Sequence, residues 1–271
     1  MGQKKAKPPI PLFETPLIES HCHLDYLGQH DLDELLKKSF DQGIEKIVTI
    51  SVSPDNIESV FELSKNQDRV YCTQGIHPHE AKGWSDKIEA IMNKNLPEKH
   101  VLAVGEIGLD YHYDNSPRDK QREVFERQLQ LACDHDLPVV IHSRDAEQDT
   151  MDILRNFNSN KLKRRGVIHS FTSKIELAEF VLDQGFYLGF NGIITFKSAE
   201  KVRKAVQLCP MDRLLLETDA PFLTPVPYRG RENAPYYLPF VAEKMAEQKG
   251  CETEALLAQV YQNTQALFQF S

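Results

Sequence analysis

A single (β/α)8 barrel is the fold class that the sequence predicts, on three observations. Short apolar runs of β type alternate with longer stretches of helical period along the whole chain. Eight such runs occur, the number that closes a parallel barrel, and 271 residues is an ordinary length for one. Five of the runs lead into an imidazole or a carboxylate, and in a parallel barrel those ends share one face.

The domain division is simple. Residues 1–15, basic and proline-rich, read as a flexible lead-in tail, and residues 16–271 as the barrel. The strands are predicted at 17–19, 46–52, 70–74, 101–105, 138–141, 166–168, 186–189 and 213–217. Between them lie helical signals. Ser116-Pro117 reads as an N-cap with proline in the first helical position, and Phe125, Leu129, Ala132 and Cys133 then share a face. Ser173 with Glu176 has the spacing of a capping box, as has Asp55 with Glu58. Ser198 opens a helix whose Val202, Ala205, Val206 and Cys209 share a face. Two helices end on Asp-Gln-Gly, at Gly43 and Gly185, where glycine supplies the left-handed stop.

Composition narrows the class of function. No stretch approaches the apolar length of a membrane span, and the start has no apolar core of a secretory signal. Five scattered cysteines without C-x-x-C spacing argue against a disulfide framework and for the cytoplasm. A net charge of −8 argues against coating nucleic acid electrostatically, but leaves room for holding one strand end through a few fixed contacts. The sequence gives no sign of an obligate protein partner or of membrane attachment.

The chemistry lies at the strand ends. The first run leads into His21 and His23, the fourth into Glu106, the fifth into His142, the sixth into His169, and the eighth through Glu217 to Asp219. Residues two apart on a strand point the same way, so His21 and His23 can converge on one ion while Cys22 faces away. Glu106 is the candidate bridge between two ions, because a shared carboxylate offsets the repulsion of paired dications. Histidine nitrogens with carboxylate oxygens suit Zn²⁺ or Mn²⁺, and Mg²⁺ less obviously. Asp219 is placed both to ligate and to hold the proton of an attacking water.

The stretches ESHCHLD (19–25), GIHPHE (75–80), GEIGLDY (105–111), PVVIHSRDA (138–146), VIHSFT (167–172) and LLETDAPFL (215–223) together resemble the TatD family of metal-dependent hydrolases, within the amidohydrolase superfamily. The resemblance covers everything after the tail; Glu19 departs from it, an Asp being more usual there. It implies metal ligands at His21, His23, Glu106, His142, His169 and Asp219, the set the strand ends select. It also implies nuclease activity, which several members have, while others are known only as presumed hydrolases. The reading favoured is phosphodiester hydrolysis at single-stranded DNA ends, by a hydroxide shared between two divalent ions. Hydrolysis of a small amide, lactone or phosphoester stays open as the alternative, and the complete ligand set counts against a non-catalytic scaffold.

Other residues carry two readings each. His77 and His79 either contact a substrate phosphate or are turn histidines bonded to backbone. Arg144 either grips an anion in bidentate fashion or pairs with Asp145 or Glu147. Glu217 either orients a ligand or a water from behind, or partners a buried arginine. Asp110 either orients its loop or ligates transiently, the loop role being preferred, and Lys161, Lys163, Arg164 and Arg165 form either a nucleic-acid patch or, as preferred, a solvated face opposite the site. Trp84, Tyr236 and Tyr237 could stack on bases but read as packing.

Overall fold

The computed structural model describes residues 7–27, 31–158 and 160–270. Eight parallel strands pair in sequence order: β1 (Leu17–Cys22), β2 (Ile44–Ile50), β3 (Val70–Gln74), β4 (Val101–Asp110), β5 (Val139–Arg144), β6 (Gly166–Ile168), β7 (Tyr187–Phe190) and β8 (Leu214–Leu216). Helices fill every gap: α1 (Leu32–Asp41), α2 (Ile57–Asn66), α3 (Asp86–Asn95), α4 (Arg118–Asp134), α5 (Glu147–Asn156), α6 (Ile175–Asp183) and α7 (Glu200–Leu208), with α8 (Leu238–Lys249) and α9 (Thr253–Phe268) after β8. The sheet comes round on itself where the His23 amide donates to Ala220 O at 2.7 Å and the Asp219 amide to His21 O at 2.9 Å. The fold is the (β/α)8 barrel that the alternation predicts.

Strand alternation separates two cores. Val48, Ile50, Leu102, Val140, Val167 and Leu215 pack together inside the barrel, closed off below by Leu267 and Phe268 of α9. Their neighbours Ile47, Val139, Ile141, Ile168, Leu214 and Leu216 face the helices. Each fully buried side chain of this kind contributes about 1.5–3 kcal/mol. The period of two then carries the inner face upward: Val140 to His142, Val167 to His169, and Leu215 to Glu217. The chemistry sits on top of the inner core because the same strand faces supply both.

Three strands outrun the sequence prediction. β1 includes His21, β5 runs two residues past His142, and β4 continues to Asp110. β4 can pass Glu106 because the register against β5 shifts between Gly105 and Ile107, leaving Glu106 as the extra residue of a bulge. A bulge bends the strand and re-aims the side chain, here toward the barrel axis.

The glycine stops hold: Gly43 and Gly185 have φ of 87° and 84°. The serine caps do not. α4 starts at Arg118 after Pro117, and the Ser116 hydroxyl instead donates to His79 O at 2.7 Å. α6 starts at Ile175, and the Ser173 hydroxyl donates to Ser143 O at 3.0 Å. α2 starts after Asn56, whose side chain accepts from the Val52 and Ser53 amides, and α7 starts after Ala199. For Ser116 and Ser173 a tertiary acceptor outcompetes the helix end.

Residues 7–16 form no helix or strand, yet Tyr228 Oη donates to Pro8 O, Gln42 to Pro11 O, and the amides of Glu14 and Thr15 to Glu254. Of the basic cluster, Arg164 donates to Leu267 O at the closed end, away from the mouth. No helix among the described residues is long and apolar enough to cross a membrane.

Candidate metal centre

Glu106 is the hub of the site. Its Oε1 lies 2.8 Å from His169 Nε2, 3.1 Å from His142 Nδ1 and 3.5 Å from His77 Nε2, and its Oε2 lies 3.4 Å from His21 Nε2. Asp219 Oδ1 is 3.5 Å from His23 Nε2 and 3.8 Å from His21 Nε2. The six strand-end residues singled out in the sequence thus meet in one place, with His21 and His169 stacked at 3.8 Å. Cys22 is buried on the other side of β1, among the helix-facing residues.

The donor atoms suit a divalent cation. Both ring nitrogens of His21 and of His169, and Nδ1 of His23, are buried without a hydrogen-bond partner. Leaving such atoms unsatisfied costs about 1–3 kcal/mol each, unless something else engages them. His169 Nε2 is close to Glu106 yet out of hydrogen-bond alignment with it, as expected of lone pairs aimed at a common centre rather than at each other. Two groups of three donors share Glu106, one with His21 and His23, the other with His77 and His142, and within each group the atoms lie within 4.8 Å of one another. Neutral imidazole and carboxylate are ligands for Zn²⁺, Mn²⁺ and related ions.

Charge follows from this packing. Burial opposes a charged carboxylate at Glu106, but the His169 ring and the hydrogen bond with His142 hold it well below its usual range. Burial likewise drives His77 well below the usual histidine range, so its ring is neutral. The His79 amide donates to His77 Nδ1 at 3.1 Å, which leaves the proton on Nε2, facing Glu106. In that tautomer His77 offers a hydrogen-bond donor to the cavity.

A second layer holds the first. Glu217 Oε1 accepts from the Ser170 amide at 2.6 Å and lies 3.6 Å from His169 Nδ1, and no arginine partners it among the described residues. Gly189 makes room for it, since a Cβ there would lie 2.3 Å from Glu217 Oε2. Asp110, read from sequence as a loop residue, does cap the following turn through the His112 and Tyr113 amides. Its other oxygen also lies 2.9 Å from His142 Nε2 and 3.1 Å from His79 Nε2. The signal for it was the period of two from Glu106 through 108 to 110. Glu19, also unassigned, is pushed up to about 8 by burial, and its Oε1 accepts from the Thr218 and His21 amides, tying β1 to the segment that bears Asp219.

Above the hub opens a cavity of about 740 Å³, lined by His23, Glu106, His142, His169 and Asp219 and by Arg144. Among the described residues no carboxylate pairs with Arg144, and its guanidinium instead lies 4.8 Å from the centre of the Tyr113 ring. Asp145 is engaged by His112, and Glu147 by Lys174.

Comparison with known proteins agrees with this geometry. The family model described as TatD related DNase matches residues 18–269. An uncharacterized metal-dependent hydrolase of Bacillus subtilis, YabD, is 37% identical over 94% of this chain and 100% of its own length. A protein of Erwinia tasmaniensis named 3'-5' ssDNA/RNA exonuclease TatD is 32% identical over 88% of this chain and 93% of its own. The crystal structure of YJJV, a TatD homolog from Escherichia coli, superposes with a TM-score of 0.87 at 30% identity, covering 94% of this chain and 98% of that one. The chain belongs to the TatD family of metal-dependent hydrolases.

Proposed function

We propose that this hydrolase is a nuclease that trims single-stranded DNA from an end, using two divalent ions held by His21, His23, Glu106, His142, His169 and Asp219. The observation that carries the reading is that the Glu106-centred donor cluster shares one cavity with Arg144, with which no carboxylate pairs among the described residues. A phosphodiester needs both, a place for its reacting phosphorus and a cation for its non-bridging oxygens. The Erwinia tasmaniensis relative supports the choice of substrate. A free or frayed end is the form of substrate this reading assigns to the cavity.

Bound divalent ions supply Lewis acidity and a water acidic enough to attack at neutral pH. The chain's own residues do the rest. Burial opposes the charge on Asp219, but the adjoining His23 and His169 keep its carboxyl below the usual range, so it is ionised and able to accept a proton. Asp219 takes the proton of the attacking water and returns it to the leaving oxygen. Arg144 fixes the phosphate, and His77 donates from Nε2 to a phosphoryl oxygen. Glu217 and Asp110 fix the rings of His169 and His142 from behind.

Two expected outcomes follow here. Glu217→Gln should weaken metal affinity or turnover by roughly 10- to 100-fold without abolishing either. Gly189→Ala, which displaces the same carboxylate, should fall in the same range in a metal titration. Total loss in Glu217→Gln would make Glu217 a ligand in its own right. Binding of a short single strand to metal-loaded Asp219→Asn protein should weaken with salt by a log–log slope of about −1.4 to −2.8, equivalent to roughly two to four phosphates. Linear strands should be cut and circular ones spared. A slope worth six or more phosphates, or rapid cutting of circles, would place the substrate across another surface and sink this reading.

A further inference from the structure

Among nine tyrosines, fourteen phenylalanines and one tryptophan, almost every ring is packed away. Tyr236 and Tyr237, candidates for stacking in the sequence, are buried, and Trp84 packs on the outer core. Among the described residues only the rings of Tyr26, Tyr113 and Phe222 stand exposed, at 44%, 56% and 51%. All three line the cavity above Glu106. Single exposed apolar residues need no explanation, but three aromatic rings around one mouth do.

Their arrangement has two sides. Tyr26 stacks one face on His23, with ring centres 5.3 Å apart and planes 18° apart. Phe222 stands nearly perpendicular to it, 6.4 Å away at 80°, so the two rings make a corner. Both belong to the β1–β8 side. Tyr113 and Arg144 belong to the β4–β5 side, half-way round the barrel, with His79 edge-on to the Tyr113 ring at 5.5 Å. The donor cluster lies between.

We infer that these rings are base-stacking platforms. Tyr26 and Phe222 receive the base on one side of the scissile phosphate, and Tyr113 receives the base on the other. The inference rests on the nuclease reading and specifies how the strand is held. A nucleic-acid strand alternates a charged phosphate with a flat base. The cavity alternates likewise, with rings on either wall and donors and a cation at the floor. Phe222 offers no hydrogen-bonding pattern to read, so any base is accepted, provided it has left its neighbours' stack. An acidic chain with few phosphate contacts thus gains its hold on the strand from the bases.

The test compares two end-labelled single strands, one intact and one abasic at the two nucleotides flanking the cut. Metal-reconstituted wild type should cleave the intact strand at least about tenfold better in kcat/KM. Tyr26→Ala and Phe222→Ala should each lose roughly tenfold on the intact strand, with the loss shrinking to about twofold or less on the abasic one. Phe222→Tyr should recover most of it. Independently, a 2-aminopurine next to the cut should be quenched on binding metal-loaded Asp219→Asn protein, and not when Phe222→Ala is added to it. Equal cleavage of both strands by wild type, or equal losses on both by the variants, would overturn the stacking while leaving a nuclease. Cleavage of neither strand would remove the nuclease reading, and the inference with it.

Discussion

Asp219→Asn is expected to lower hydrolysis by roughly a thousandfold and to leave the fold unchanged. The substitution is a clean one because of the backbone. Asp219 has φ of 58°, a left-handed conformation that Asp and Asn adopt with less strain than other side chains. Its amide donates to His21 O, a bond that does not involve the side chain. Alanine would add strain at this point and confuse two effects; asparagine removes only the charge to which the proposal assigns proton acceptance and metal binding. Near-wild-type turnover in the pure variant, with circular dichroism unchanged, would rule out the role assigned to Asp219.

Glu106→Gln should empty the centre. Two dications about 4 Å apart would repel by on the order of 16 kcal/mol at an effective dielectric of about 20, and a carboxylate shared between them would offset this. Elemental analysis after reconstitution with Zn²⁺ or Mn²⁺ should approach two ions per chain for wild type. The Glu106→Gln protein should retain at most one and lose turnover to the level of the chelated enzyme. A variant that still holds two ions and hydrolyses normally would mean that Glu106 is not the bridge.

Much of this centre was legible in the sequence because β-strands enforce a period of two. His21 with His23, Val140 with His142, and Leu215 with Glu217 each announce their face by spacing alone. Asp110 obeys the same rule but lies beyond a bulge, and an extra residue at Glu106 cannot be seen in a string of letters. The strand therefore reads as ending at Gly105, which strands Asp110 in a loop. Ser116 and Ser173 look like caps because cap preference is local, whereas their hydroxyls answer to carbonyls 37 and 30 residues away. The aromatic rim was hidden for a similar reason. Exposure is a property of packing, so Tyr236 and Tyr26 look equivalent until one is found inside the fold and the other at its mouth.

The most direct test of a metal-dependent nuclease is incubation of metal-reconstituted protein with end-labelled single-stranded DNA, with and without a chelator. Label at either end reveals the direction of trimming. The expected result is progressive shortening from one end, stopped by the chelator, restored by added Mn²⁺ or Zn²⁺, and absent in Asp219→Asn. An intact strand in the presence of fully loaded protein, or shortening indifferent to the chelator, would contradict it.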